Sequence, residues 1–199
     1  GLRPAERGTI HLEGRPRRIR TPKQAIRAGM ALVPRDRRHQ GLILPFTTAD
    51  NINLASLPET ATFGWERRGI AERKARDWIE QLAIRPGRPA LPVRYMSGGN
   101  QQKAILARWL GTDARLFILD EPTLGVDIGA RRDIYQRTRQ LADKGRAVLV
   151  SSSDAPELLG LCDRILVLWR GALAANLPTR GLTLDALLVA INGGQEPSP

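Results

Sequence analysis

The 199-residue sequence holds 31 Lys plus Arg against 20 Asp plus Glu, a net charge of +11, with 42% apolar and 26% charged residues. This is globular composition and excludes a disordered chain; no apolar run reaches the roughly 18 residues of a membrane-spanning helix. One cysteine, Cys162, excludes an internal disulfide and is expected to pack as a small hydrophobe.

Residues 8–13 alternate in character and end at Gly14, which predicts a short strand and a turn. The basic segment Arg15–Arg20 follows. Thr21-Pro22 opens a short helix, with Thr as cap and Pro in the first turn. Residues 30–33 predict a buried strand that stops at Pro34. Arg35–Gly41 is expected to be a charged loop, and Asp50 and Asn51 to cap a helix over 51–57. Residues 58–70, with Pro58, Gly64 and Gly69, are expected to be a loop. Over 71–83, Ala75, Trp78, Ile79 and Leu82 recur at helical spacing. Arg85–Pro89 breaks the pattern. Ser97-Gly98-Gly99 then leads into a helix over 100–110, ended by Gly111.

The run Leu116–Leu119 predicts a strand buried on both faces. Residues 129–143 predict a helix and 147–150 a second buried strand, followed by Ser151-Ser152-Ser153. A helix at 156–161, a strand at 165–169, a turn at Arg170-Gly171, a return strand to Asn176, a helix at 183–191 and a frayed tail complete the pass. Strands alternating with helices indicate an α/β layout with a largely parallel sheet, interrupted between 46 and 110 by helical pattern alone.

Two segments carry chemistry. Leu116–Leu119 delivers Asp120 and Glu121 to the end of a strand, where open α/β sheets bind ligands. Asp120 there suits a Mg²⁺ shell, and Glu121 suits a water attacking a γ-phosphate. An acidic helix start after an ordinary strand gives the same residues. The second segment is Ser97-Gly98-Gly99-Asn100-Gln101-Gln102-Lys103. Glycines beside a helix start expose backbone N–H groups, and the helix dipole adds positive charge, which suits phosphate. A Ser N-cap after a flexible turn is the plainer reading. His11 and His39 have no partners at metal-ligand spacing. Trp65, Trp78, Trp109 and Trp169 are expected in the core.

Taken together, Ser97-Gly98-Gly99-Asn100-Gln101-Gln102-Lys103, then Leu119-Asp120-Glu121-Pro122-Thr123, then Gly125-Val126-Asp127, resemble the ATP-binding cassette ATPases in order: signature, Walker B strand and D-loop. The resemblance is nearest to the second cassette of bacterial monosaccharide importers of the ribose, galactose and xylose type, and extends from Gly8 to about Ile191. Pro34–Arg38 with Gly41-Leu42, and Pro156–Leu159 with Cys162–Ile165, match further segments of that group.

The resemblance implies a P-loop NTPase-like α/β fold, N-terminally truncated, with an inserted helical lobe. It divides the chain into a first core part at 1–45, the helical lobe at 46–110, a second core part at 111–176 and a C-terminal helix and tail at 177–199. It implies ATP and Mg²⁺ as cofactors. Ser97, Gly98, Gly99, Asn100 and Gln101 would contact ATP held by a partner cassette. Asp120 would support Mg²⁺, Glu121 would be the catalytic base, and Asp127 would link the two sites. The implied partners are a second cassette, permease subunits and, indirectly, a periplasmic sugar-binding protein, with no nucleic acid. The implied location is the cytoplasmic face of the bacterial inner membrane.

Three positions depart from the family pattern. No G-x-x-x-x-G-K-[ST] phosphate loop occurs in the sequence. Arg35 stands at the Q-loop position; as a donor only, it cannot accept from water or ligate Mg²⁺. Ser153 stands where the switch histidine of the general family sits, a position where second cassettes of the sugar-importer group also tend to carry Ser. The chain is therefore expected to be a piece of something longer, which completes its partner's site and is inactive alone. A catalytically silent pseudo-cassette, or a non-transport cassette acting on nucleic acid or the ribosome, remains as an alternative.

Overall fold

The computed structural model describes residues 2–3, 5–57, 61–62 and 65–193, with the side chains of 61–66 excepted. Pro58 and Gly64 of the expected loop, the side chain of Trp65 and the tail from 194 lie outside the described residues. The chain divides into two compact units, Gly1–Leu149 and Val150–Pro199.

The first unit opens with an antiparallel hairpin, β1 (Ile10–Leu12) and β2 (Arg15–Arg17). The first half of the basic segment, Arg15–Arg17, is thus an exposed strand, and its residues show no apolar alternation that would mark it. Helix α1 (Pro22–Arg27) begins as expected, with Thr21 Oγ1 accepting from the Gln24 amide. Strand β3 (Met30–Val33) pairs in parallel with β6 (Leu116–Asp120), in register Leu32 with Ile118. Strand β7 (Ala147–Ser151) lies on the other edge of β6, giving the order β3-β6-β7.

The sheet corrects the expected burial of its strands, including 147–150, where no residue of β7 is buried and Leu149 is 52% exposed. Phe117 and Leu119 are buried with Ala31 and Val33, but Leu116 and Ile118 are only partly so and Leu32 is 50% exposed. Side chains alternate across a strand, and burial here follows that two-residue period. The apolar run is therefore half-buried.

Between β3 and β6 lies the helical lobe. Helix α2 (Thr48–Asn53) packs on α3 (Arg68–Gln81) and on α4 (Gly98–Leu110). The start of α2 is not capped by Asp50 or Asn51. Thr47 accepts from the Asp50 amide, and the Asp50 carboxylate accepts from the Thr47 amide, a reciprocal capping box. Asp50 is thus its third residue, and Asn51 is free for another task. Strands β4 (Ala61–Thr62) and β5 (Trp65–Glu66) form a short antiparallel ladder inside the expected loop. Ala75, Ile79 and Leu82 are buried on α3, as their spacing predicts, and Trp78 partly so. Helix α5 (Ile128–Asp143) follows β6.

In the second unit, α6 (Ala155–Leu161), the antiparallel pair β8 (Arg164–Trp169) and β9 (Ala172–Pro178), and α7 (Leu184–Ile191) surround Ala155, Ile165, Val167 and Leu187. Cys162, Leu177 and Leu182 pack against this core, so the segment after 176 shares it with the strands before it. Arg170 and Gly171 both take positive φ, as a two-residue hairpin turn requires. Trp169 is 42% exposed, contrary to its expected place in the core. No helix among the described residues is long and apolar enough to cross a membrane.

Candidate functional site

Parallel pairing of β3 and β6 puts their C-terminal ends side by side. Two turns leave there: the 35–41 segment after β3, and the Asp120–Asp127 segment after β6. The head of α4 meets both.

Ser97 stands at the N-cap of α4 with extended backbone, yet its side chain makes no cap hydrogen bond. Its Oγ instead accepts from Asn100 Nδ2 at 2.8 Å, and Asn100 Oδ1 accepts from the Arg85 amide at 2.7 Å. The first amides of a helix have no intrahelical acceptor; with the cap side chain turned to Asn100 it does not take them either, and around them Ser97 is exposed, Gly98 and Asn100 half-buried and Gly99 buried. Gln101 is buried, and its Nε2 donates to the Val93 carbonyl at 3.0 Å. It fastens the helix head to the lobe and faces away from that outer surface.

The glycines fit a close approach. A Cβ on Gly99 would lie 2.8 Å from Ala130 Cβ and 3.0 Å from Asp127 Oδ2. A Cβ on Gly98 would lie 2.5 Å from Arg37 Nη2 and 3.0 Å from the Gly125 carbonyl oxygen. The segment beyond β6 therefore seats directly on the signature. Asp127 caps α5 by accepting from the Ala130 amide at 2.9 Å, and Lys103 Nζ meets Asp133 at 2.6 Å, a second tie between α4 and α5.

Asp120 ends β6, partly buried, and Glu121 follows with φ +47. A left-handed residue with a Cβ is strained, and such strain gathers where a side chain must be aimed. The Leu124 amide donates to the Glu121 carbonyl and the Val126 amide to that of Thr123, so two successive turns carry the chain to Asp127. Gly125 has φ +64, which glycine takes without strain.

The 35–41 segment is more ordered than a charged loop. Arg37–Gly41 forms one wide helical turn, capped by Asp36, whose Oδ1 accepts from the Arg38 and His39 amides at 3.2 and 3.1 Å. His39 Nδ1 lies 2.8 Å from Asp36 Oδ2. The His39 amide, and then its ring, hold the Asp36 carboxyl below its ordinary value. The sign follows: a lowered carboxylate stabilises the turn above its unfolded pKa and loses that as pH falls through the folded one. In a His39→Gln variant, which keeps the capping amide and removes the titrating ring, the amide resonances of residues 38 and 39 should stay put on acidification to about pH 4 and move only below it. An amide NMR titration checks this; movement centred well above that range refutes the cap. Arg35 is exposed. Arg37, to which the sequence reading gave no role, donates to the Leu124 carbonyl at 2.7 Å and to that of Gly125 at 3.3 Å.

The structure thus brings together Ser97, Gly98, Gly99 and Asp127, beside the turn from Asp120 and Glu121. Ser153 is exposed in the second unit, next to Ser152, which donates to the buried Glu157, and Asp154, which caps α6. No group of three His, Cys, Asp or Glu residues forms a metal cage among the described residues. A Mg²⁺ ion, though, takes one or two carboxylates and fills its shell with phosphate and water, which the Asp120 end of β6 suits.

The family model for ABC transporters matches residues 1–124. The chain belongs to the ABC transporter family. A ribose import ATP-binding protein of Geobacillus kaustophilus is 42% identical over 198 residues, 98% of this chain and 39% of that protein. A xylose import ATP-binding protein of Burkholderia ambifaria is 44% identical over 186 residues, 94% of this chain and 36% of that protein. The chain therefore spans less than two fifths of the length of these ABC relatives. Among solved structures, the dimeric post-hydrolysis state of the ATP-binding cassette MJ0796, bound to ADP and Pi, superposes with a TM-score of 0.75 at 19% identity, covering 91% of this chain and 77% of that one. That likeness shows the cassette fold, an α/β architecture with a parallel sheet and helices.

Proposed function

We propose that this chain is part of the ATP-binding subunit of a monosaccharide importer, and that it completes a nucleotide site held chiefly by a partner cassette. The uncapped head of α4 carries the reading. With no side-chain cap from Ser97, the first amides of α4 have no acceptor within the helix at its positive end, and glycine at 98 and 99 lets that head pack against Arg37 and Ala130. A γ-phosphate presented by a neighbouring cassette fits that head. ATP with Mg²⁺ supplies the phosphoanhydride whose cleavage releases the free energy. On the chain's own nucleotide face, Asp120 would hold the ion through its water shell and Glu121 would take the proton of the attacking water. Asp127, fixed by its own cap, would face the seam between cassettes. Asn100 orients the Ser97 hydroxyl, and Gln101 anchors the helix head. Arg35 and Ser153 occupy the Q-loop and switch positions with side chains that serve a bound nucleotide poorly.

The partners that fit are a second cassette, permease subunits and, through them, a sugar-binding protein, at the cytoplasmic face of the bacterial inner membrane. The names and lengths of the relatives support this, as does the motif order. The sequence has no P-loop lysine to hold β- and γ-phosphates. The 199-residue chain by itself should therefore show no ATP turnover above background in a phosphate-release assay. A turnover that Glu121→Gln abolishes would overturn the in-trans reading.

A further inference from the structure

Arg37 is where the two turns and the signature touch. Its fork gives one N–H to the Leu124 carbonyl at 2.7 Å and one to the Gly125 carbonyl at 3.3 Å. Its Nη2 and Cζ lie 2.5 and 3.2 Å from where a Cβ on Gly98 would be, and its Nη2 lies 3.4 Å from one on Gly125. Its Nε is buried and makes no hydrogen bond. A guanidinium stays charged, is planar and only donates. Its hydrogen-bond partners among the described residues are neutral carbonyls, which leave its charge uncancelled by a direct ion pair there. The plate thus fills the volume that a side chain at 98 would need, and it crosslinks the turn after β3 to the turn after β6.

We propose that Arg37 is a positioning residue: it locks the signature head and the Leu124–Asp127 turn into one unit, so that both present themselves together to the neighbouring nucleotide. This rests on the reading of Ser97–Gly99 as a phosphate grip. The lack of a side chain at Gly98 then answers to the guanidinium that occupies its Cβ position. A lysine would not replace it, because a single ammonium on a flexible stem lacks the two-pronged plane that bridges successive carbonyls.

Two measurements on the intact protein that carries this chain, assembled with its partners, test the proposal. The first is a double-mutant cycle of Gly98→Ala and Arg37→Ala, read as the unfolding midpoint. Gly98→Ala alone strikes the guanidinium; with Arg37→Ala that clash is gone and the contact with the Gly125 oxygen remains. The pair should therefore lose less than the sum of the single losses, by about 2 °C or more. Additive losses overturn the clamp.

The second is ATP hydrolysis. Arg37→Ala should lower kcat about tenfold with KM changed less than about twofold, and Arg37→Lys should not restore it. An unchanged kcat, or full rescue by lysine, overturns the positioning role. Ser97→Arg in the same assembly separates the two readings. Retained hydrolysis there refutes the phosphate grip itself; lost hydrolysis there, with Arg37→Ala fully active, refutes only the role of Arg37.

Discussion

Gly99→Ala is expected to destabilise the chain by about 1–3 kcal/mol and to lower partner-dependent hydrolysis by about a hundredfold. The added methyl group would lie 2.8 Å from Ala130 Cβ and 3.0 Å from Asp127 Oδ2. Neither neighbour can rotate away. The first is a Cβ fixed to helix α5, and the second belongs to the carboxylate that caps that helix. Relief requires α4 and α5 to separate by several tenths of an ångström, against the pull of the Lys103–Asp133 pair. That shift moves the first amides of α4 relative to the seam, and in-line phosphoryl transfer tolerates such displacement poorly. Denaturant midpoint and ATP turnover of the assembled protein measure the two effects. Gly160→Ala is the control: it lies in α6, with nothing within 4 Å of the added Cβ, and should be neutral or mildly stabilising. If both variants behave alike, the contact between signature and D-loop is not as described.

Asn51→Asp is expected to cost about 3 kcal/mol near neutral pH. Asn51 is fully buried. Its Nδ2 donates to the carbonyls of Ile43, Phe46 and Thr47 at 3.0, 3.4 and 3.1 Å, and its Oδ1 accepts from the Ile43 amide at 2.9 Å. A carboxylate keeps the acceptor and turns the donor into an oxygen facing three carbonyl oxygens. Arg108 offsets part of this. Its Nε donates to the Asn51 carbonyl at 2.8 Å and its Nη2 lies 3.3 Å from Oδ1. Burial pulls Arg108 down to about 10, so it is still cationic at neutral pH. The three carbonyls and burial nonetheless raise the introduced carboxyl above its unfolded value. An acid raised on folding loses stability as pH climbs from the unfolded to the folded pKa. The deficit relative to the unaltered chain should therefore shrink as pH falls toward about 4. Urea titrations at several pH values measure it; a deficit independent of pH would show that the amide does not bear on those carbonyls.

Asn51 also illustrates how far a linear reading reaches. Its position near a helix start makes it look like a cap. The actual cap, Thr47, lies before the apolar pattern begins, and Asp50 completes it from the third helical position. Both patterns satisfy local rules, and only the chain's path around residues 43–47 decides between them. Arg37 is harder still. It sits among Arg35 and Arg38 with nothing in composition to distinguish it, and its partners are 87 and 88 residues away. A signal that could have pointed to it was indirect: two glycines in the signature and one in the D-loop demand a tight junction, and something must fill it.

The features legible along the linear chain are local and motif-borne. Strand β3 stops at Pro34, α1 starts at Thr21-Pro22, α4 ends at Gly111, and the order of signature, acidic strand and D-loop marks the family. These are written in residues a few positions apart, where dihedral limits, caps and side-chain period act directly. The tertiary structure decided which face of Leu116–Leu119 is covered, that Gln101 turns inward while Ser97 stays exposed, and that Gly98 and Gly99 back onto Arg37 and Ala130. Those outcomes depend on surfaces brought together from distant parts of the chain, where excluded volume and unpaired donors select the arrangement and leave no periodic trace in the sequence.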